Sequence, residues 1–132
     1  MTEEVEQHFR KAADCVEDSQ ILLDNDRAAA AVARAYYAMF HAATAVLVVK
    51  DIKRSSHRGV LSAFGEYLVK PGLIKKSLHK SLLEAFELRQ QTDYEPMANV
   101  DNKQAREVLD NAIDFVDACR KLLDGINKMN MD

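Results

Sequence analysis

The stretch RAAAAVARAYYAMFHAATAVLVV, residues 27–49, decides the fold of this chain. Apolar residues occur on nearly every side of it, as expected for a helix that other helices cover on most faces. The stretch is long enough to cross a bilayer, but Arg34 and His41 lie inside it and much of its apolar character comes from alanine. Because insertion would place a charge near the middle of the membrane, we expect the central helix of a bundle and no membrane contact.

The segments around this central helix also show helical periodicity, and none shows the strict alternation of a half-buried strand. Apolar residues recur in them at three- and four-residue steps. We predict helices at residues 3–24, 27–49, 57–69, 74–92 and 101–124. The predicted fold class is therefore all-α, an up-and-down helical bundle of four long helices plus one shorter helix.

A few residues are predicted to set the helix ends. Thr2 is a suitable N-cap for the first helix, and Pro71 with Gly72 should break the chain after the shorter helix. Pro96 should stop the fourth helix, and Gly125 is well placed to terminate the last one. We expect the last few residues of the chain to be disordered.

The length of 132 residues fits a single domain, residues 1–132. Cys15 and Cys119 are far apart and form no C-x-x-C pair, so we expect reduced thiols rather than a disulfide or zinc site. The acidic N-terminus lacks the features of a signal peptide, which favours a cytoplasmic location. Motifs of di-iron bundles, zinc peptidases, nucleotide-cradling loops and serine hydrolases are absent from the sequence, so we expect no metal and no cofactor.

Positive charge is concentrated in residues 50–80, although the whole chain has a net charge of −3. The basic residues of this segment are Lys50, Lys53, Arg54, Arg58, Lys70, Lys75, Lys76 and Lys80. Such a stretch in an acidic protein suits an anionic ligand, phosphate or nucleic acid. It is also compatible with a solvated surface that balances the acidic helices. Lys53, Arg54 and Arg58 are our candidate nucleotide- or RNA-binding residues.

His57 lies in SSHRG, residues 55–59, at the expected start of the shorter helix. Backbone N–H groups at a helix start, with Arg54 and Arg58 nearby, form a candidate phosphate site. The structural alternative is that Ser56 caps the helix and His57 is exposed.

Arg89 occupies a position of the fourth helix where an apolar residue would be expected. At about 100° per residue it falls on the apolar stripe that includes Phe86. Because arginine is seldom buried without a partner, it must meet a carboxylate, a phosphate or water. Asp93, one turn later, is the local candidate. Two interpretations stay open: an Arg89–Asp93 bridge that holds the end of the bundle, or an anion site that Arg89 forms and that Asp93 and Tyr94 orient.

A polar stripe crosses the otherwise apolar central helix. It consists of Arg34, Tyr37, His41 and Thr44, at three- and four-residue spacing. Buried polar groups are tolerated only when they are hydrogen-bonded. The stripe should therefore face another helix, a second subunit or a ligand, and a satisfied network in the core or at a dimer interface is the plainer interpretation.

Four runs of residues together resemble the HEPN (higher eukaryotes and prokaryotes nucleotide-binding) domain family, in its small stand-alone prokaryotic form. They are RAYYAMFHAA at 34–43, SHRGV at 56–60, residues 64–70 followed by PG at 71–72, and RQQTDY at 89–94. Their order and spacing fit the family over nearly the whole chain.

The resemblance implies a small helical bundle that forms a homodimer and is often encoded beside a minimal nucleotidyltransferase. Many members of the family are metal-independent ribonucleases, and several are toxins of toxin–antitoxin pairs. Their usual site is an arginine followed, after four to six residues, by a histidine, and two copies meet across the dimer. Arg89 matches that arginine, but this chain has Tyr94 where the histidine is expected.

The missing histidine matters because cleaving RNA without a metal requires a group that takes the 2′-OH proton while a cation stabilises the phosphate. The side-chain pKa of histidine is ordinarily about 6.5 and that of tyrosine about 10, so a tyrosine such as Tyr94 is a poor base at neutral pH. Either His57 or Asp93 serves as the base, or the protein binds its ligand without cutting it.

These observations predict a homodimeric HEPN protein that binds RNA or a nucleotide through Arg89, Asp93, Tyr94 and the basic segment. The expected setting is a toxin–antitoxin-like pair with a nucleotidyltransferase, with metal-independent ribonuclease activity as one option. The alternative is a non-catalytic dimeric interaction module that has no ligand site of its own.

Overall fold

A computed structural model describes residues 2–95 and 99–131. Its helices are α1 (Glu3–Asp24), α2 (Ala28–Val49), α3 (His57–Phe64), α4 (Lys76–Tyr94) and α5 (Asn102–Met131). Helix α3 continues into a π-helical turn at Gly65–Val69. These residues contain no strand, and the predicted all-α fold of four long helices and one shorter helix is confirmed.

The long helices alternate in direction. Helix α5 starts beside α2, because the Asn102 side-chain amide donates to the Asp26 carboxylate at 2.9 Å. It then runs antiparallel to α1, so that Arg120 near its end meets Glu6 near the start of α1 at 3.2 Å. Helices α1 and α4 each pack on both α2 and α5. The pair α2 and α5 therefore forms the centre of the bundle.

Helix α2 is the central helix that the sequence predicted. It packs on α1, α3, α4 and α5, and its Tyr36 and Met39 are fully buried beside Phe64, Leu82 and Phe115. Removing a side chain of this size from water stabilises the fold by about 1.5–3 kcal/mol. By length and composition α2 could cross a membrane, but more than half of its most apolar window is buried inside the bundle. Such burial is typical of the core helix of a water-soluble fold.

Most of the predicted helix ends agree with the structure. The Thr2 hydroxyl accepts a hydrogen bond from the Val5 amide at 3.3 Å and caps α1. The chain turns at Gly72, whose φ of +84° lies in the left-handed region that favours glycine. Helix α4 ends at Tyr94, but Pro96, the residue expected to stop it, lies outside the described residues.

Helix α5 differs from its prediction, because it passes through Gly125 and continues to Met131. The expected helix end near Asp124 is therefore wrong. Glycine costs only about 1 kcal/mol relative to alanine inside a helix, and Ile126 just beyond it packs against the core, which favours continuation. The expected disorder of the last residues stays a prediction for Asp132, which lies outside the described part of the chain.

Candidate functional site

Arg89 lies near the end of α4 and faces α2. Its guanidinium carbon is 5.6 Å from the centre of the Tyr36 ring and 5.0 Å from that of Tyr37. Its Nε atom is 3.2 Å from the Asp93 carboxylate, and the Arg89 side chain is only 19% exposed. The local partner expected from the sequence is thus present. The two tyrosine rings are additional partners that the sequence analysis missed.

The ion pair of Arg89 uses only part of its hydrogen-bonding capacity. A guanidinium carries five N–H donors in a planar fork, and the 3.2 Å contact with Asp93 is made by one of its nitrogens, Nε. The terminal nitrogens, Nη1 and Nη2, form the edge of the fork that suits bidentate contact with a phosphate. The arrangement can therefore hold a phosphate on one edge while Asp93 holds the other.

Tyr94 is not part of this cluster in the structure. It is the last residue of α4, its side chain is 76% exposed, and five residues place it about 140° around the helix from Arg89. Tyr94 is therefore directed away from the face of α4 on which Arg89 and Asp93 meet.

His57 is held against the aromatic side chains of α2. Ser56 caps α3, accepting from the Gly59 amide at 3.0 Å, as the structural alternative predicted. His57 is nonetheless half-buried rather than exposed, with Nδ1 2.7 Å from the Tyr36 hydroxyl. Its ring stacks on Phe40, with centroids 4.1 Å apart and planes 11° apart.

The electrostatics of this cluster keep its titratable partners neutral. Burial lowers the pKa of His57 below its usual range, and the positive charge of Arg89 lowers this pKa further. Burial raises the pKa of Tyr36 well above its usual range, and Arg89 offsets only part of that rise. At neutral pH the site therefore presents one cation, Arg89, beside a neutral imidazole and a neutral phenol.

The basic segment does not form one patch. Arg58 lies close to the end of α4, with its guanidinium 5.0 Å from the centre of the Phe86 ring and 3.2 Å from the Gln90 side-chain oxygen. Arg54 packs beside α3, within reach of Gly59, and Lys53 next to it is exposed. The lysines at the start of α4 are about 20 Å from Arg89 along the helix. Arg58 is thus the basic residue of this segment that contacts the end of α4 that carries Arg89.

The polar stripe of α2 finds partners on α1. Arg34 is 3.6 Å from the Asp18 carboxylate, and His41 Nδ1 is 3.1 Å from His8 Nδ1. Thr44 donates to the Phe40 carbonyl of its own helix at 2.8 Å. All four stripe residues, Tyr37 included, are half-buried. Of the three alternatives, another helix of the same chain therefore accounts for Arg34 and His41, and that helix is α1.

The residues Tyr36 and Phe40 escaped the sequence analysis because they belong to the apolar set of α2 and not to its polar stripe. Their four-residue spacing, one turn of the helix, was the available signal. No group of three or more potential metal ligands occurs among the described residues.

Comparison with known proteins agrees with this architecture. The HEPN domain family model matches residues 5–122. A UPF0332 protein of Thermotoga maritima is 35% identical over 124 residues, which cover 94% of each chain. The "Putative toxin MJ0605" of Methanocaldococcus jannaschii is 33% identical over 92% of this chain and 90% of its own length, and the "Putative toxin MJ0142" of the same organism is 30% identical over 91% and 82%.

With a family model that spans most of its length and relatives aligned nearly from end to end, this chain belongs to the HEPN domain family.

Proposed function

We propose that this chain binds RNA or a nucleotide at the surface formed by Arg89, His57 and the aromatic side chains of α2. The observation that carries the proposal is the guanidinium of Arg89, which is largely buried beside the rings of Tyr36 and Tyr37 and meets Asp93 through Nε. Burying a cation in this way costs free energy, because the guanidinium loses its contact with water. An anionic ligand at its terminal nitrogens is the partner that offsets that cost best.

The surroundings of Arg89 favour a nucleic acid over a simple anion. Lys53, Arg54 and Arg58 add positive charge at the start of α3, next to the end of α4. Tyr37 and Phe40 are half-buried aromatic side chains that contact His57. Basic residues that follow a phosphate backbone, combined with aromatic faces on which bases stack, are the usual means of binding single-stranded RNA.

The biological setting that we propose is a toxin–antitoxin-like pair in the cytoplasm. Two relatives are named as putative toxins, and the family resemblance implies a minimal nucleotidyltransferase as the partner. Recovery of a complex when the chain is produced together with a nucleotidyltransferase encoded beside it would support the pairing.

We also propose a homodimer formed through the side of α2 that carries the half-buried residues Arg34, Tyr37, His41 and Thr44. The half-buried stripe on this face joins polar and aromatic groups over several helical turns, and two-fold pairing is the commonest closed symmetry. Thr44→Glu would place like charges near each other across a two-fold contact and should give a monomer in light scattering. A wild-type monomer at micromolar concentration would rule the dimer out.

A second candidate function is an interaction module with no ligand site. The 3.2 Å ion pair and the two cation–π contacts of Arg89 favour it, because together they could hold the end of α4 with no ligand present. Ribonuclease activity belongs to the first candidate, and incubation of the purified protein with RNA in the presence of EDTA tests it directly.

The deciding experiment is RNA binding measured by fluorescence anisotropy with a labelled single-stranded oligoribonucleotide. Arg89→Ala should abolish most of the binding. Arg106→Ala is the matched control, because Arg106 forms an ion pair of the same four-residue spacing, with Asp110 on α5 at 3.6 Å. Equal affinity for the wild type, Arg89→Ala and Arg106→Ala would remove Arg89 from the binding site, and a wild type that binds no RNA would leave only the interaction module.

A further inference from the structure

The contact between Tyr36 and His57 determines which ring nitrogen of His57 carries the proton. Tyr36 is fully buried, and its hydroxyl lies 2.7 Å from His57 Nδ1. In the described part of the chain this is the only hydrogen bond of that hydroxyl. The other polar group against the Tyr36 ring is the guanidinium of Arg89, which has donors and no acceptor.

Only one direction of this hydrogen bond satisfies the phenol hydrogen. If His57 donated from Nδ1, the Tyr36 O–H would be left in the interior without an acceptor, and an orphaned buried donor is destabilising. If Tyr36 donates instead, His57 Nδ1 is the acceptor, and a neutral imidazole must then carry its hydrogen on Nε2. Burial and Arg89 both lower the pKa of His57, so the neutral form is the one present at neutral pH.

The stacking contacts fix where this Nε2–H is presented. Phe40 lies parallel to the His57 ring at 4.1 Å and prevents it from turning over freely. Nδ1 is directed to the interior, towards Tyr36, so Nε2 on the opposite edge of the ring is directed away from it. Arg89 and His57 both contact the rings of Tyr36 and Tyr37. The two donors therefore adjoin the same pair of side chains.

We infer that Tyr36 is a positioning residue that holds His57 in the tautomer protonated on Nε2, so that His57 and Arg89 form a donor pair for one phosphate ester of RNA or of a nucleotide. This inference rests on the proposed function and specifies its chemistry. In this tautomer neither ring nitrogen has an available lone pair, since Nδ1 accepts from Tyr36 and Nε2 bears the hydrogen. His57 is therefore a binding residue rather than the base that replaces the missing family histidine.

The tautomer can be measured without any ligand. Long-range proton–nitrogen correlation spectra of the ¹⁵N-labelled protein at neutral pH distinguish protonated from unprotonated ring nitrogens, and loss of one ring's signals in His57→Gln assigns His57. We expect a protonated Nε2 and an unprotonated Nδ1 in the wild type. Tyr36→Phe should convert His57 to a mixture of tautomers, whereas Tyr67→Phe, a partly exposed tyrosine of the π-helical turn, should leave the His57 signals unchanged.

The donor pair is tested by binding of a 2′-O-methyl oligoribonucleotide, which resists cleavage. His57→Ala should weaken binding about tenfold or more, as expected for losing one hydrogen bond to a charged group. His57→Gln places an amide N–H near the position of Nε2 and should restore most of the affinity. Tyr36→Phe should fall between the wild type and His57→Ala.

The outcomes separate this inference from the proposed function. A wild-type His57 protonated on Nδ1 would overturn the inference while leaving RNA binding by Arg89 intact, and this spectrum decides the matter even if Tyr36→Phe fails to fold. Equal affinity of His57→Ala and the wild type would also overturn it. If the wild type bound no RNA, both the donor pair and the proposed function would be refuted, whichever nitrogen of His57 carried the hydrogen.

Discussion

Replacement of Arg89 by alanine separates the two functions considered for this protein. The structure gives the stability cost: two cation–π contacts, worth about 0.5–1 kcal/mol each, and one partly exposed ion pair, worth about 0.3–0.5 kcal/mol. The free energy of unfolding should therefore fall by about 1.3–2.5 kcal/mol. For a domain of this size the melting temperature should decrease by about 5–10 °C.

The effect on RNA binding should be larger. A bidentate contact between the guanidinium and a phosphate supplies charge-assisted hydrogen bonds of about 1.5–3 kcal/mol each. Arg89→Ala should consequently weaken RNA binding by at least about 100-fold, measured by anisotropy at a temperature where the variant is fully folded. Arg89→Lys keeps the charge but loses the fork, and it should recover only part of the affinity.

Asp93→Asn provides the complementary test. The Asp93 side chain is 40% exposed, so loss of its charge should change the free energy of unfolding by less than about 0.5 kcal/mol. Because the negative charge of the carboxylate repels a phosphate held on the other edge of Arg89, RNA affinity should stay the same or increase. A large drop in the melting temperature of Arg89→Ala with unchanged RNA affinity would refute the phosphate interpretation and favour the structural bridge.

Three further changes have expected outcomes. Charge reversal at Arg54 and Arg58 should weaken RNA binding and reduce its dependence on salt, because each neutralised phosphate releases counterions. Salt titrations of the binding constant measure this dependence. If the slope of the logarithm of the binding constant against that of the salt concentration did not change, these residues would be removed from the site. Burial first, and then the neighbouring His8, lower the pKa of His41 from 6.5 to about 4. The unfolded chain therefore binds the proton more readily, and stability should be lost as the pH falls from about 6.5 to about 4. Urea unfolding across this range should show a smaller loss for His41→Gln, and an equal loss would contradict the assignment to His41. Gly125→Ala should raise the free energy of unfolding by about 0.5–1 kcal/mol, because a Cβ there meets nothing within 4 Å and alanine is the better helix former. A lower melting temperature would contradict a helical backbone at Gly125.

The sequence by itself determined the fold class. Residues 27–49 are apolar on nearly every side, and only a helix surrounded by other helices can bury such a surface. The spacing of apolar residues in the flanking segments then predicted the remaining helices, because this spacing shows which face of a helix is buried away from water. The sequence also predicted the pairing of Arg89 with Asp93, since residues one turn apart on a helix are always neighbours.

The end of α5 could not be predicted from local signals. Gly125 matches the usual C-cap pattern, yet the helix continues to Met131. Contact of Ile126 with the core is a tertiary effect, and such effects outweigh a propensity difference of about 1 kcal/mol.

Only the tertiary structure decided the composition of the candidate site. Tyr36 and His57 are 21 residues apart in the sequence, and His8 and His41 are 33 apart; nothing in their local patterns pairs them. Helical periodicity gives the direction of a side chain from its own helix axis, but a contact between helices also depends on how the helices cross and on the path of the connecting loop. The loop between α2 and α3 returns His57 to the middle of α2, and the packing of α4 on α2 brings Arg89 over the same tyrosine rings. The sequence could therefore identify Arg89 as a misplaced charge, whereas its partners Tyr36, Tyr37 and His57 exist as a group only once the helices are packed.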